Sequence, residues 1–145
     1  MTGLLAIDVG NTNTVFALYD GERLTQQWRC ATNPLRTGDE YYAWLSSLAG
    51  TDTELGAIRA MVIASVVPET IMQLESLARH HLGTRPLVVG RPDCVLPVAV
   101  RVDPATRVGA DRLVNTVAAY ARYGGDLIVV DFGTATTFDV VDSDG

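Results

Sequence analysis

Eleven residues near the start of the chain are written again near its end. Leu4-Leu5-Ala6-Ile7-Asp8-Val9-Gly10-Asn11-Thr12-Asn13-Thr14 aligns without gaps onto Leu127-Ile128-Val129-Val130-Asp131-Phe132-Gly133-Thr134-Ala135-Thr136-Thr137. Each copy gives four apolar residues, then Asp-x-Gly-x-x-x-Thr, then more apolar residues, and the two aspartates are 123 residues apart. That spacing is about one domain length and far too long for a solenoid unit. If the first copy opens one domain, the second should open a sister domain of the same design.

The chemistry of each copy is specific. A buried strand delivers an aspartate at its carboxyl end, where α/β sheets bind ligands. The glycine removes a side chain, so backbone can approach a phosphate closely. Small polar residues in the turn present N–H and hydroxyl donors to anionic oxygens, and the aspartate can hold Mg²⁺ directly or through water. A single strand–Asp-x-Gly–strand element is as often only a hairpin turn. Two copies a domain apart favour phosphate binding, one hairpin on each side of a nucleotide. The triplet Asp131-Phe132-Gly133 mimics the protein-kinase magnesium motif, but the glycine-rich loop, lysine and catalytic-loop set that accompany it are missing.

Composition narrows the means. All eleven basic residues are arginines, so neither a P-loop lysine nor a kinase strand lysine is available. Any phosphate must be held by backbone N–H groups, hydroxyls, arginine or a metal ion. The net charge of −6 argues against a nucleic-acid or membrane-surface role. No apolar run reaches the length of a membrane span, and Leu4–Ile7 is too short for a signal-peptide core. Cys30 and Cys94 have no metal-ligand or disulfide spacing and are expected to be buried thiols in a reducing cytoplasm.

The pattern along the chain predicts three antiparallel strands. The second and third join at Asp20-Gly21 through a type I′ turn, and the third carries Leu24, Trp28 and Cys30 on one face. Thr37 and Glu40 have capping-box spacing, with Tyr41, Trp44, Leu45 and Leu48 at helical intervals before Gly50. The run Ala60–Ala64 reads as a doubly covered strand. Pro68 suits the first turn of the next helix, on which Ile71, Leu74, Ala78 and Leu82 share a face. A short strand at Leu87–Val89, an extended connection at Val98–Val102 and a third helix from Gly109 to Tyr123, stopped by Gly124-Gly125, complete the order. Strands alternating with helices after a meander imply an α/β mixed sheet with flanking helices.

Gly109-Ala110-Asp111-Arg112 opens the third helix. Asp111 suits the positive end of the helix dipole, which alone would explain it. It is also placed to accept the proton of an attacking hydroxyl, because phosphoryl transfer depends chiefly on orientation. Arg112 could clamp an acidic acceptor or the moving phosphoryl group. His80 and His81 have no obvious acidic partners and read as surface or packing residues.

The paired hairpins resemble those of the acetate and sugar kinase, Hsp70 and actin superfamily. Within it, Asp8–Thr14, Thr32–Thr37 with Asp39-Glu40-Tyr41, Ser65–Pro68, Gly109–Arg112 and Asp131–Thr137 resemble, in order and along the whole chain, type III pantothenate kinase. The resemblance implies a ribonuclease H-like first domain over 1–124 and the first hairpin of a second, truncated domain over 125–145. It implies transfer of the ATP γ-phosphate to pantothenate, the first committed step towards coenzyme A. Asp8, Val9, Gly10, Asn11, Thr12, Asn13, Thr14, Val15 and Thr134 would line ATP, with Mg²⁺ at Asp8. Gly109, Ala110, Asp111 and Arg112 would touch pantothenate, with Asp111 the proton acceptor. Asp131 would bind a monovalent cation, potassium or ammonium. A cytoplasmic homodimer is implied, with no nucleic acid or membrane partner. Val102 stands where many members carry a substrate-contacting tyrosine, and members run on for roughly another domain, so the 145-residue chain alone is expected to have little activity. Two rivals share the fold: a non-catalytic transcriptional accessory protein, and a kinase for another small hydroxyl acceptor.

Overall fold

The computed structural model describes residues 3–49, 55–103, 105–133 and 135–145. Strands β1 (Gly3–Val9), β2 (Asn13–Asp20) and β3 (Arg23–Ala31) form the expected antiparallel meander. Helix α1 (Gly38–Ala49) leads to β4 (Ile58–Ser65), α2 (Ile71–Ser76) to β5 (Leu87–Val88), and α3 (Ala110–Tyr123) to the hairpin β6 (Leu127–Phe132) and β7 (Thr136–Val141). The first five strands make one mixed sheet in the order β3-β2-β1-β4-β5, with β1, β4 and β5 parallel. The β6–β7 hairpin is a separate two-stranded sheet.

Burying one face of the large sheet builds the main core. Leu5, Ile7 and Val9 of β1, Phe16 and Leu18 of β2, and Met61 and Ile63 of β4 meet Tyr41 and Leu45 of α1 and Leu74, Leu77 and Ala78 of the α2 region. Phe16 lies 5.5 Å from both Tyr41 and Trp44, ring centroid to ring centroid, in tilted geometry. Each such buried side chain contributes roughly 1.5–3 kcal/mol by leaving water. The capping box forms as its spacing predicts: Glu40 N–H donates to Thr37 Oγ1 at 3.2 Å and Thr37 N–H donates to Glu40 Oε2 at 2.7 Å. A Cβ on Gly38 would come within 2.8 Å of Leu77 N, so that glycine lets α1 sit close on α2.

The opposite face is covered by α3. A smaller core joins Ala64 of β4 and Val89 to Ala110 and Leu113, with Val62, Cys94, Leu96, Val108 and Val114 half-buried around it. Residues Ala60–Ala64 are thus packed on both sides except at Ala60, which is exposed.

The two hairpins turn the same way relative to α3. In β1 the Asp8 side of the strand faces away from the main core, while Leu5, Ile7 and Val9 fill it. In β6 the Asp131 side, with Leu127 and Val129, is the half-buried one. The repeat equivalents of Leu5, Ile7 and Val9 are Ile128, Val130 and Phe132, and these are 64 %, 40 % and 82 % exposed. Phe138 and Val140, their cross-strand partners, are exposed as well. A face buried in the first copy is bare in the second.

Several expectations are corrected. Leu24 does not share a face with Trp28 and Cys30: the register shifts between Leu18 and Tyr19, Thr25 is squeezed out, and Leu24 pairs with Tyr19. The β2–β3 turn has a positive φ only at Gly21 (58°), its first central residue, which fits a II′ rather than a I′ turn. Leu48 is exposed and Ala49 takes its place in the core, while Gly50 lies outside the described residues. Residues Val98–Val102 run outside both sheets, tied by Ala99 N–H to Gly145 O at 3.0 Å. His81 does have an acidic partner, Asp39 Oδ1 at 2.7 Å, and its ring stacks on Tyr42. Both cysteines are free and half-buried, and loss of solvent pushes the Cys30 thiol pKa up. Gly124, at φ 61°, ends α3 as predicted, its N–H donating to Tyr120 O.

Candidate functional site

The loop between β1 and β2 is shaped by its own backbone. Gly10 N–H donates to Asn13 O at 2.9 Å, leaving Asn11, Thr12 and Asn13 exposed. Thr32, just past β3, pins it from below: its N–H donates to Thr12 O at 2.9 Å and its hydroxyl donates to Gly10 O at 2.7 Å. Thr14 is fully buried, with its hydroxyl 2.9 Å from that of Thr32. Its side chain therefore holds the loop, while Val15 pairs with Asp8 across the ladder.

The second loop is one residue tighter. Val9 pairs with Thr14, but Phe132 pairs with Thr136, and Gly133 N–H donates to Ala135 O at 3.2 Å. The gapless sequence alignment does not survive as a gapless structural one. Thr134, the expected nucleotide contact here, lies outside the described residues.

Between the loops stands the N-terminus of α3. Gly109 is its N-cap, in extended backbone conformation, against Val66. A Cβ there would lie 2.5 Å from Asp111 Oδ1, so glycine is what lets the carboxylate fold back over the helix start. Asp111 Oδ1 accepts the Arg112 N–H at 2.8 Å. One turn further, Asn115 Nδ2 donates to Asp131 Oδ2 at 3.3 Å. Ser65-Val66-Val67-Pro68 closes the floor, with Val66 N–H donating to Val9 O at 3.0 Å and Ser65 Oγ capping the turn through Val67 N–H.

Three carboxylates from three elements converge. Asp8 is raised above its ordinary carboxyl pKa, first by loss of solvent contact, then by the negative charges of Asp111 and Asp131. The strand end of the second hairpin and the start of α3 therefore lie within electrostatic reach of Asp8. Such a concentration of like charge is what a bound cation relieves. Among the described residues no three acidic, histidine or cysteine side chains lie close enough to hold a metal alone. The donors fit Mg²⁺, which keeps water and phosphate oxygens in its shell, and not an all-protein cage.

Around the same helix, a cavity of about 420 Å³ is lined by Val100, Val102, Thr106, Arg107, Arg112 and Thr116, among others. Val102 and Arg112 both line it, whereas Asp111 is not among its lining residues. Arg112 also reaches Asp139 of β7, and the carboxylate raises its pKa.

Sequence reasoning missed three residues. Thr32 belongs to the Thr32–Thr37 segment, where the sequence alone gives it no role. Asn115 is four residues after Asp111, hence on the same side of the helix. Asp139 shares the parity of Asp131 and could have been found from strand alternation.

A mixed sheet with helices on both faces and hairpin loops at its strand ends places the chain in the fold of the sugar-kinase and actin-like proteins. The inorganic polyphosphate/ATP-glucomannokinase from Arthrobacter sp. strain KM superposes with a TM-score of 0.50 at 16 % identity, over 99 % of this chain and 60 % of that one. A reductive activator for a corrinoid, iron-sulfur protein gives 0.58 at 15 % identity, over 99 % and 30 %. At such identities only the fold is shared. The family model of type III pantothenate kinase matches residues 4–145, and the chain belongs to that family. Proteins named type III pantothenate kinase from Ruegeria sp. (strain TM1040) and Roseobacter denitrificans are 59 % and 58 % identical over 142 residues, 98 % of this chain. The chain spans about half the length of these curated relatives, 55 % in both cases. No helix among the described residues is long and apolar enough to cross a membrane.

Proposed function

We propose that this chain carries the nucleotide-gripping half of an enzyme that transfers the γ-phosphate of ATP to the hydroxyl of pantothenate. The convergence of Asp8, Asp111 and Asp131 supports this reading above all. Backbone N–H groups of Asn11–Asn13 and of the loop after Asp131 receive the phosphate chain, with Gly10 N–H closing the first loop on Asn13 O and Thr14 and Thr32 keeping it in shape. Asp8 would hold Mg²⁺, and Asp131, oriented by Asn115, would hold a monovalent cation. When bound, the divalent ion neutralises charge on the phosphates.

Asp111 accepts the proton of the pantothenate hydroxyl as that oxygen attacks phosphorus. A weak base suffices where the transition state is loose and positioning dominates. The cavity beside α3 is of a size for a small acceptor, and Arg112 answers the acidic group of pantothenate. With Val102 in the wall, an apolar contact takes the place of a tyrosine hydroxyl.

Residues 1–124 form the first domain, and 125–145 open a second whose core face is the bare side of β6–β7. The whole protein works as a cytoplasmic homodimer. A coupled ADP-release assay on the full-length protein, with and without pantothenate and potassium, tests the reading. Pantothenate-dependent ADP release that disappears in Asp111→Asn, with nucleotide binding kept, is the expected result. Pantothenate-independent behaviour, or normal turnover by the Asn variant, would reject it.

A further inference from the structure

The Arg112 guanidinium is held along one edge only. Its Nε donates to Asp139 Oδ1 at 2.6 Å, and its Nη2 meets the same carboxylate and donates to Phe138 O at 2.9 Å. Among the described residues Nη1 has no hydrogen-bond partner. The Asp139 side chain is 13 % exposed and that of Arg112 is 39 %, so the pair is anchored at the carboxylate end and open at the arginine end. Arg112 and Asp139 both line the cavity that also contains Val102 and Thr116.

We propose that Asp139 is a positioning residue: it fixes the Nε–Nη2 edge of Arg112 against β7 and leaves the Nη1 edge turned to the acceptor. This rests on the reading of Arg112 as an acceptor contact. An arginine unbound in the free protein would lose most of its rotamer freedom on meeting the acceptor. Paying that cost during folding leaves more of the contact as affinity. A rigid planar fork can be gripped on one edge and still offer the other, which an ammonium cannot do.

Docking of the hairpin does not depend on this pair alone. Asn115 reaches Asp131, Tyr120 Oη donates to Ser143 O at 3.1 Å, and Arg101 pairs with Asp142 at 2.6 Å. A half-buried ion pair is also a poor device for stability by itself, because both charges are partly desolvated. If Asp139 served only to neutralise Arg112, removing its charge would free a cation and tighten an acidic acceptor.

The test uses the full-length protein and separates KM for pantothenate, KM for ATP and kcat. Asp139→Asn is expected to raise the pantothenate KM about tenfold, with kcat and the ATP KM within about twofold of wild type and the melting temperature little changed. A pantothenate KM that is unchanged or lowered overturns the proposal. So does a loss spread over kcat and both KM values together with a lower melting temperature. Should the asparagine variant fail to fold, Arg112→Lys asks the same question: it must raise the pantothenate KM similarly, and an unchanged KM overturns the proposal. Arg112→Ala separates the layers. If it leaves the pantothenate KM unchanged, the acceptor reading of Arg112 is wrong and the inference falls with it. If it raises that KM while Asp139→Asn does not, only the positioning role is lost.

Discussion

Asp8 and Asp131 end equivalent strands 123 residues apart, and the charge of Asp131 helps to raise the Asp8 carboxyl pKa. The link between them is α3. Asn115 of this helix donates to Asp131, and Asp111 at its start is near enough to raise the Asp8 carboxyl as well. A duplicated strand–loop element thus does two jobs by parity: one side of each strand supplies a core, the other a carboxylate.

The raised Asp8 carboxyl means that the folded protein gives up stability to keep its site charged. The folded pKa lies above the ordinary value of 3.8, so between the two the native state binds more protons than the unfolded chain. Stability is then lost as pH rises through the raised value, and it stays lost above it. Asp8→Asn, which carries no charge, should melt above wild type at pH near 7. The gap should close below pH 3.8 and narrow when Mg²⁺ and nucleotide are added. Kinase turnover should disappear. Melting curves across pH decide it: a wild type more stable than Asp8→Asn at neutral pH contradicts the account.

Thr32 makes a different prediction, because it shapes the loop proposed to bind phosphate without belonging to it. Thr32→Val removes the hydroxyl that meets both Gly10 O and Thr14 Oγ1, and leaves a buried hydroxyl without its partner. The cost should be about 1–3 kcal/mol of stability by chemical denaturation. The ATP KM should rise more than the pantothenate KM. An equal rise in both would mean that the loop is not where nucleotide binds.

The elements were legible where local rules act alone. The capping box of Thr37 and Glu40, Pro68 at a helix start and the glycine stop after Tyr123 depend on a few neighbouring residues. What pattern could not show was set by non-local register. The bulge at Thr25 flips Leu24 to the other face without leaving a break in the alternation. The tighter second loop is invisible in a gapless alignment. His81 finds Asp39 only because α1 and the turns after α2 pack side by side, 42 residues apart in sequence. The candidate site was legible through its aspartates and glycines. Its supporting residues, Thr32, Asn115 and Asp139, act through contacts that only the fold creates.

Gly109 tests how closely Asp111 must be held. Its backbone angles, φ −62° and ψ 147°, suit any residue, so alanine adds no backbone strain. The new Cβ would instead lie 2.5 Å from Asp111 Oδ1, and the carboxylate must swing away. Gly109→Ala should lower kcat about 10- to 100-fold with the fold and the ATP KM preserved. A variant with normal kcat would show that Asp111 does not act from this conformation.

The bare side of β6–β7 carries the last prediction. Ile128 and Val140 face each other across the hairpin, 64 % and 79 % exposed. Apolar surface of this kind invites association unless something covers it. The 145-residue chain should bind a hydrophobic dye and self-associate with rising concentration. Replacing both residues by threonine keeps β-branching, hence strand propensity, while removing apolar surface. In this chain the double variant should bind less dye and melt no lower. In a full-length protein, where a second domain would bury the same positions, it should cost about 2–4 kcal/mol, because hydroxyls replace an ethyl and a methyl group in a core. Equal effects in both contexts would mean that this face is never covered, and that the hairpin does not open a second domain.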